Sequence, residues 1–361
     1  PDSHRVIETL TCPKCAATYA NKEQMTLVME TFLDPATGQA AQRPQRVPWR
    51  INYTVGRQVY VKIPDANDLS IVDRIAMMPA PATLPTTTLP DSQMRRVGRM
   101  ATTNSTAVHH LYLPRPAHAL ASLWSRASGH SNLDTRRILL WFVEQAIWGL
   151  SIFNRHQRLQ NGGTGGSQVN RQLNGVFYVP SQISECSPIY NLGGRLDRLV
   201  RQAFASAYTT RDMSIVTTGD CARVNIPDGC VDYIFTDPPF GENIYYADLN
   251  FLVESWHRVT TESSPEAIVD RVRQKEIIDY QSLMKKCVAE YFRLLKPGRW
   301  MTVVFSNSSA AIWRALQEAI GSAGFVVADV RTLDKVQRSF QQVVNSSIKT
   351  DLVVSVYKPL Q

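Results

Sequence analysis

From residue 211 onward, apolar and polar positions alternate in blocks whose period switches between two and about 3.6. "MSIVTTGD" (213–220) and "CVDYIFTD" (230–237) read as strands. "ADLNFLVESWHRV" (247–259) carries Phe251, Leu252, Trp256 and Val259 at helical spacing. "YQSLMKKCVAEYFRLL" (280–295) is an amphipathic helix stopped by Lys-Pro-Gly. "RWMTVVFS" (299–306) predicts a strand, and "AAIWRALQEAIGSAG" (310–324) a helix closed by glycine. "FVVADVRTL" (325–333) and "DLVVSVYK" (351–358) finish the series as strands, with no helix pattern between them. Strand–helix alternation predicts an α/β fold, a mostly parallel sheet with helices on both faces. The last two strands are expected to pair as an antiparallel hairpin at its edge.

Upstream the periodicity is shorter and mixed. "RINYTVGRQVYVKI" (50–63) is strand-like, and "PAPATLPTTTLP" (79–90) reads as an exposed connector. Two helical patterns follow, "AHALASLWSRA" and "DTRRILLWFVEQAIWGLSIFNRH", between 117 and 156. "NGGTGGSQVN" (161–170) predicts a loop, and "RLDRLVRQAFA" (195–205) a helix. The expected organisation is therefore a mixed segment over 1–115, a helical region over 116–210 and an α/β unit over 211–361.

Composition changes this picture little, and charge changes it more. With 44% hydrophobic and 19% charged residues, the 361-residue chain has the make-up of an ordinary globular protein. No apolar run approaches the roughly 20 residues of a membrane helix. The six cysteines, at 12, 15, 186, 221, 230 and 287, form no disulfide framework and suit a reducing, cytoplasmic setting. The net charge is +8, and residues 1–210 hold all of the excess, with 22 Lys and Arg against 13 Asp and Glu. Most of these cations are arginines, including Arg95, Arg96, Arg99, Arg136 and Arg137. Such a surface either contacts nucleic-acid phosphates or keeps the protein solvated.

The candidate chemistry lies at strand ends, where open α/β sheets bind ligands. Asp220, Asp237 and Ser306 all stand at such ends. The run Asp237-Pro238-Pro239-Phe240 fixes two φ angles and removes two backbone donors, so its carbonyls are left to face a ligand. Asp237 and the Pro238 carbonyl can together accept both hydrogens of an exocyclic amine on a nucleobase. That withdraws the nitrogen lone pair from the ring and frees it to attack an electrophilic methyl group. Phe240 offers the base an apolar face. The competing reading is a plain strand-to-loop corner, with Asp237 capping the turn.

These residues also carry a resemblance. "TTGDCARVNIPDGCVDYIFTDPPF" and "YFRLLKPGRWMTVVFSN" resemble the amino-methyltransferases, whose pattern is Asp/Asn/Ser-Pro-Pro-aromatic after the fourth sheet strand. More narrowly, "DPPFGENIYYADLN", "HHLYLPRPAHALASLW" and "VQRSFQQVVNSSIKTDLVVSVYKP" are similar to bacterial DNA methylases carrying a zinc-ribbon insertion. The resemblance implies a Rossmann-like class I methyltransferase sheet and S-adenosylmethionine as cofactor. It implies Asp237, Pro238, Pro239 and Phe240 as catalytic residues, and Asp220, Cys221 and Asp237 as cofactor-binding. Adenine N6 is favoured over cytosine N4, whose enzymes more often carry Ser at the position of Asp237. Double-stranded DNA is the implied substrate, and the target base must leave the stack to be reached. Modification linked to restriction or phage defence, in a bacterial cytoplasm beside the nucleoid, is the implied setting.

In one respect the chain departs from the family. The Phe/Pro-x-Gly-x-Gly turn that holds the cofactor is not visible; "GGTGG" (162–166) and "NLGGRL" (191–196) follow no apolar strand. In the resembled group that turn precedes the insertion, so an upstream segment or another chain is expected to complete the pocket. Cys12 and Cys15 make one half of a zinc knuckle, but a tetrahedral site needs four ligands. His4, His109 and His110 are conceivable substitutes. The preferred reading is a degenerate ribbon without metal. The His109-His110 pair either contacts phosphate or is structural, and Tyr245 and Tyr246 either hold a flipped nucleotide or pack on the sheet edge. Two alternatives remain open: an RNA base methyltransferase, and a nucleic-acid-binding subunit inactive without a partner.

Overall fold

The α/β pattern after residue 211 builds one four-stranded sheet. The computed structural model describes residues 10–11, 15–19, 26–156, 171–203, 215–242, 244–334 and 350–360. Two units are distinguishable: residues 1–89, 97–172 and 178–201 form the first, and 90–96, 173–177 and 202–361 the second.

The first unit opens with three antiparallel two-stranded hairpins: β1 (Leu10–Thr11) with β2 (Thr18–Tyr19), β3 (Met29–Leu33) with β4 (Ala40–Pro44), and β5 (Ile51–Val55) with β6 (Gln58–Lys62). Asp34 starts the β3–β4 turn, its Oδ1 accepting the Ala36 N–H at 2.9 Å. Helix α1 (Ala66–Ala76) begins in a reciprocal Asp65–Asp68 capping box. After the short α2 (Gln93–Arg96) of the second unit comes α3 (Pro114–Ser128), which buries Ala117, Leu120, Ala121 and Trp124, spaced as one helical face. Helix α4 (Leu133–Glu144) starts on Asn132, whose Oδ1 accepts the Thr135 N–H. The helix predicted to run on to residue 156 ends at Glu144. Ala146, Ile147, Leu150, Ile152 and Phe153 are all buried, so this stretch has no polar face to show solvent. The chain turns inward instead, and the Ile152 N–H pairs with the Leu111 carbonyl at 2.8 Å. Helix α5 (Pro188–Arg198) runs on into a π-helical turn, Leu199–Ala203, at the end of this unit.

In the second unit, β7 (Val231–Thr236), α6 (Tyr246–His257), α7 (Ile277–Leu294), β8 (Leu295–Phe305), α8 (Ala310–Ala323), β9 (Val326–Asp334) and β10 (Thr350–Tyr357) follow in order. The strand order is β7-β8-β10-β9, with β7–β8 parallel and both pairings of β10 antiparallel. Strands β7, β8 and β9 therefore share one direction, and β10 is inserted against them. The result is a mixed α/β sheet, Rossmann-like as the resemblance implied and closed by an antiparallel hairpin as the pattern predicted, but with one parallel and two antiparallel pairings among the described strands where a mostly parallel sheet was expected. The sequence did not reveal that β10 would lie between β8 and β9.

Both helices were expected to distribute over the two faces, but α7 and α8 lie on the same one. From α7 come Tyr280, Met284 and Val288, and from α8 Ile312, Leu316, Ala319 and Ile320, packed on Met301, Val303 and Phe305 of β8. The reason is topological. The connections β7→β8 and β8→β9 step in the same direction across the sheet, and crossovers of one hand then fall on one face.

Two local readings change. Lys296-Pro297-Gly298 does not separate helix from strand, because β8 starts directly at Leu295 and runs through it. Gly298 has φ +75°, and its N–H reaches the Lys358 carbonyl at 2.8 Å. The strand expected over 213–220 is not formed by its described part, 215–220. A strand needs a neighbouring ladder, and no described strand lends one: Ile215 and Val216 are 88% and 94% exposed. Among the described residues, no helix is long and apolar enough to cross a membrane.

Candidate active site

Strand β7 delivers Asp237 to its carboxyl end, where the residue is exposed while Pro238 is buried and Pro239 and Phe240 are half-buried. The backbone behind Asp237 is held carbonyl by carbonyl. The Tyr280 hydroxyl donates to the Pro239 carbonyl at 2.9 Å, Asn307 Nδ2 to the Phe240 carbonyl at 2.6 Å, and the Val269 N–H to the Gly241 carbonyl at 3.3 Å. No hydrogen bond of the described residues ends on the Pro238 carbonyl.

The residues that hold this corner are themselves fixed. Asn307 Oδ1 accepts the Ser309 N–H at 2.6 Å, and the Asn307 carbonyl accepts Trp313 Nε1–H at 2.8 Å. Tyr280 is fully buried, and that burial pushes its hydroxyl upward, so it stays a donor. Gly241 sits at φ +76°, and a Cβ there would stand 2.8 Å from Ile312 Cδ1. Only glycine admits both that backbone and that approach. Phe240 meets Phe305 edge to face at 5.1 Å, and Phe305 meets Trp313 likewise at 4.9 Å.

The loop before β7 brings Asp220 and Cys221 to the same strand end. Asp220 Oδ1 accepts the Ala222 N–H at 2.8 Å, and its carbonyl the Arg223 N–H at 3.0 Å, which closes a tight turn. Glu290 and Arg293 of α7 clamp the next residues of the loop: Glu290 Oε1 accepts the Val224 N–H at 2.7 Å, while Arg293 donates to the carbonyls of Val224 and Ile226. The Arg293 guanidinium holds the Glu290 carboxyl down at about 2. Further along α7, Tyr291 interacts with both Cys221 and Thr236, the residue before Asp237. The Cys287 thiol is pushed up to about 11, by burial first and then by its neighbours Cys221 and Asp220.

On the other flank, Tyr246 opens α6 with a hydroxyl raised by burial and then by the charges of Asp237 and Glu266. Tyr246 is thus in electrostatic reach of Asp237. Tyr245 is raised by burial and then by Asp270, Glu242 and Asp248. Beneath these tyrosines the 259–276 loop is tied down by ions. Arg273 bonds both Asp270, at 2.9 Å, and Asp248, and Lys275 Nζ donates to the carbonyls of Ser263, Ser264 and Glu266.

Sequence reasoning missed Tyr280, Asn307 and this ion network. Asn307 had a signal, since it directly follows the Ser306 strand end. Tyr280 had none, being one apolar-face residue of an amphipathic helix.

The remaining expectations resolve separately. Cys12 and His4 lie outside the described residues, as do 162–166 and 336–347. Cys15 is exposed and joins no metal-ligating group among the described residues. Gly193 and Gly194 are inside α5, so they wrap no phosphate. His109 and His110 are structural: both Nε2 atoms bond Asp34, at 2.9 and 3.0 Å from its Oδ2. The three side chains come close enough to hold an ion. However, His110 Nδ1 accepts the Thr106 N–H at 3.1 Å, which puts the proton of the neutral ring on Nε2, where a metal would bind. Among the arginines, Arg96 is paired with Asp91, and Arg137 lies 3.5 Å from Asp134.

No protein-family model and no curated protein matches the chain. Solved structures overlap it in part. A candidate DNA modification methylase from Thermus thermophilus is 15% identical over 40% of this chain and 52% of its own, with a TM-score of 0.25. A SAM-dependent methyltransferase from Methanosarcina mazei is 13% identical over 45% and 77%, also at 0.25. The M1.HpyAVI–SAM complex is 18% identical over 36% and 44%, at 0.19. The chain spans about half the length of the Thermus methylase, and likeness of this degree carries no functional argument.

Proposed function

We propose that the protein methylates a base amino group in DNA, with S-adenosylmethionine as donor and adenine N6 as the favoured target. The observation that carries the reading is the arrangement of acceptors at the end of β7. The carbonyls of Pro239, Phe240 and Gly241 are each engaged by a protein donor, whereas Pro238 has none among the described residues. Its carbonyl and the Asp237 carboxylate are the pair that a two-hydrogen amine requires. In this mechanism Asp237 accepts one N–H and Pro238 the other. The nitrogen pyramidalises, attacks the sulfonium methyl and then releases its extra proton, with Asp237 the nearest acceptor. Phe240, braced by Phe305, supports the base, and Tyr246 borders the same space. Asp220 and Cys221 line the cofactor side.

S-adenosylmethionine supplies the methyl group when bound; this chain's part is to hold the amine and exclude competing geometry. A duplex base must be extruded to reach such a pocket. The arginine excess of residues 1–210 would neutralise phosphates.

The test is Asp237→Ala in the full protein, assayed with tritiated S-adenosylmethionine and duplex DNA. Loss of one preorganised acceptor is expected to cost on the order of a hundredfold in rate. Unchanged turnover would remove the reading. Running structured RNA beside duplex DNA decides between the two nucleic-acid substrates.

A further inference from the structure

The β5–β6 hairpin is exposed on both faces over most of its length, and it pairs with no other described strand. A lone two-stranded hairpin is marginal in water. Its tip is a two-residue turn, Gly56-Arg57, with Gly56 at φ +62°. The register sets Tyr53 opposite Tyr60 on one face, and Asn52 opposite Val61 and Thr54 opposite Val59 on the other. The tyrosine face is closed on itself: the rings stack at 5.5 Å, and the Tyr60 hydroxyl donates to Gln58 Oε1 at 2.6 Å. The second face is open. Val59 and Val61 are each 45% exposed there, beside exposed Asn52 and Thr54. Between Asp34 and Asp65 the chain has five cations, Arg43, Arg46, Arg50, Arg57 and Lys62, and no carboxylate. Glu30 pairs with Arg43, and Asp65 and Asp68 pair with Lys62. Arg46, Arg50 and Arg57 have no ion pair among the described residues.

One contact on the open face decides what it can recognise. Arg50 Nε donates to Asn52 Oδ1 at 3.1 Å. Because Nε can only donate, the amide oxygen must face it, and the amide nitrogen points away. Asparagine reads adenine by accepting N6–H on that oxygen while donating to N7, and here the oxygen is engaged. What remains is a set of donors: the two terminal nitrogens of Arg50 and Nδ2 of Asn52. Two neighbouring acceptors with no donor between them are O6 and N7 of guanine in the major groove. That groove, about 12 Å wide, admits a two-stranded ribbon. Thr54, Val59 and Val61 add methyl groups of the kind that pack on thymine C5-methyl. Arg57 at the tip and Arg46 ahead of β5 are left for phosphates. We infer that the β5–β6 ribbon enters the major groove of duplex DNA and reads guanine through Arg50, which Asn52 holds in place. The inference rests on DNA being the substrate, and it adds part of what is recognised in it. Single strands and RNA duplexes fit less well. The tyrosines that would stack on free bases are stacked on each other, and the A-form major groove is too narrow for a ribbon.

The experiment incubates the full chain, without cofactor, with a library of random-sequence DNA duplexes and sequences those retained. The expected motif contains a guanine. Replacing that guanine by 7-deazaguanine, which lacks N7, should weaken binding about tenfold. Inosine, which keeps O6 and N7 and lacks only the minor-groove amine, should be tolerated. Arg50→Lys keeps the charge and loses the fork, so the guanine preference should fall about tenfold while binding to random duplex changes less than about threefold. Because both changes remove the same contact, their losses should not add. Arg57→Ala should instead weaken all duplexes alike. A motif without guanine, or a loss with inosine in place of 7-deazaguanine, would overturn the inference. So would an Arg50→Lys variant with the parent's preference, or single strands retained as strongly as duplexes. If duplexes are bound and methylated while Arg50→Lys and 7-deazaguanine change nothing, only the ribbon's role is lost. If no duplex is bound, the DNA substrate is lost with it.

Discussion

Two clusters in this protein hold acidic groups with polar partners, and they are built in opposite ways. Asp34, His109 and His110 form the richer set by composition, with three groups that elsewhere bind metals or move protons. Yet every described bond of the Asp34 carboxylate is internal: His109 and His110 donate to it, and so does the Ala36 N–H. The cluster ties the β3–β4 turn to the short helical turn at 108–111, and His109 and Asp34 are buried. At the end of β7 the buried donors go to the backbone instead. Buried Tyr280 and Asn307 spend their donors on the backbone behind Asp237, and the carboxylate itself stands exposed. Residue type does not separate a candidate site from a structural knot; the direction in which the hydrogen bonds point does.

The contrast can be broken most strongly at the knot. Asp34→Ala leaves the buried His109 and half-buried His110 imidazoles without their acceptor and should cost about 1–3 kcal/mol of stability per stranded donor in urea melts. The Asp237→Ala variant should melt like the parent while losing the roughly hundredfold in rate expected of an acceptor at the reacting atom. If Asp34→Ala abolished transfer in protein shown to be folded, or if Asp237→Ala unfolded the chain, the comparison would be inverted.

Acid should find the knot first. Burial holds the His110 imidazole below its ordinary value, so the unfolded chain takes up a proton there before the folded one does. Stability from this group is complete above the unfolded value of about 6.5 and falls as pH drops toward the lowered folded value. Asp34 is also held well below the usual carboxylate range, by the hydrogen bonds of His109, Ala36 and His110 against the opposing effect of burial. Its contribution persists above the unfolded value of about 3.9 and is lost only in stronger acid. His110→Gln should flatten the first slope in thermal melts between pH 7 and 5 and leave the second.

Smaller effects sharpen the corner. Tyr280→Phe removes one neutral hydrogen bond from the Pro239 carbonyl, about 0.5–1.5 kcal/mol of stability. A fall in kcat at unchanged KM in that variant would mark Tyr280 as positioning the acceptors. Phe240→Ala should weaken the transition state by about 1–3 kcal/mol through lost stacking, with Phe240→Trp tolerated. The smallest change is expected from Arg99→Ala, which should lower the salt dependence of duplex binding by about one phosphate contact. An unaltered slope would leave Arg99 as a solvating group only.

Much of this was legible in the chain. The strand before Asp237, the rigid prolines, the amphipathic helix over 280–294 and the closing pair of strands all follow from local period and backbone restriction. These are properties a short stretch carries with it, because side-chain alternation and proline geometry do not depend on distant residues. The strand expected over 213–220 is not formed over 215–220 for the complementary reason: alternation proposes a strand, but only a ladder shared with a neighbour makes one. The helix beyond Glu144 failed because residues apolar on every side are drawn into a core, which a helical period alone does not reveal.

Local sequence was enough to place an aspartate and two prolines at a strand's carboxyl end, with a glycine close behind. Which carbonyls there are occupied came only from long-range packing, since Tyr280 and Asn307 arrive from 41 and 67 residues away. The same packing put β10 between β8 and β9 and both helices on one face. Strand order and long-range donors are set by which surfaces bury each other, and burial is a property of the whole fold, not of any segment in it.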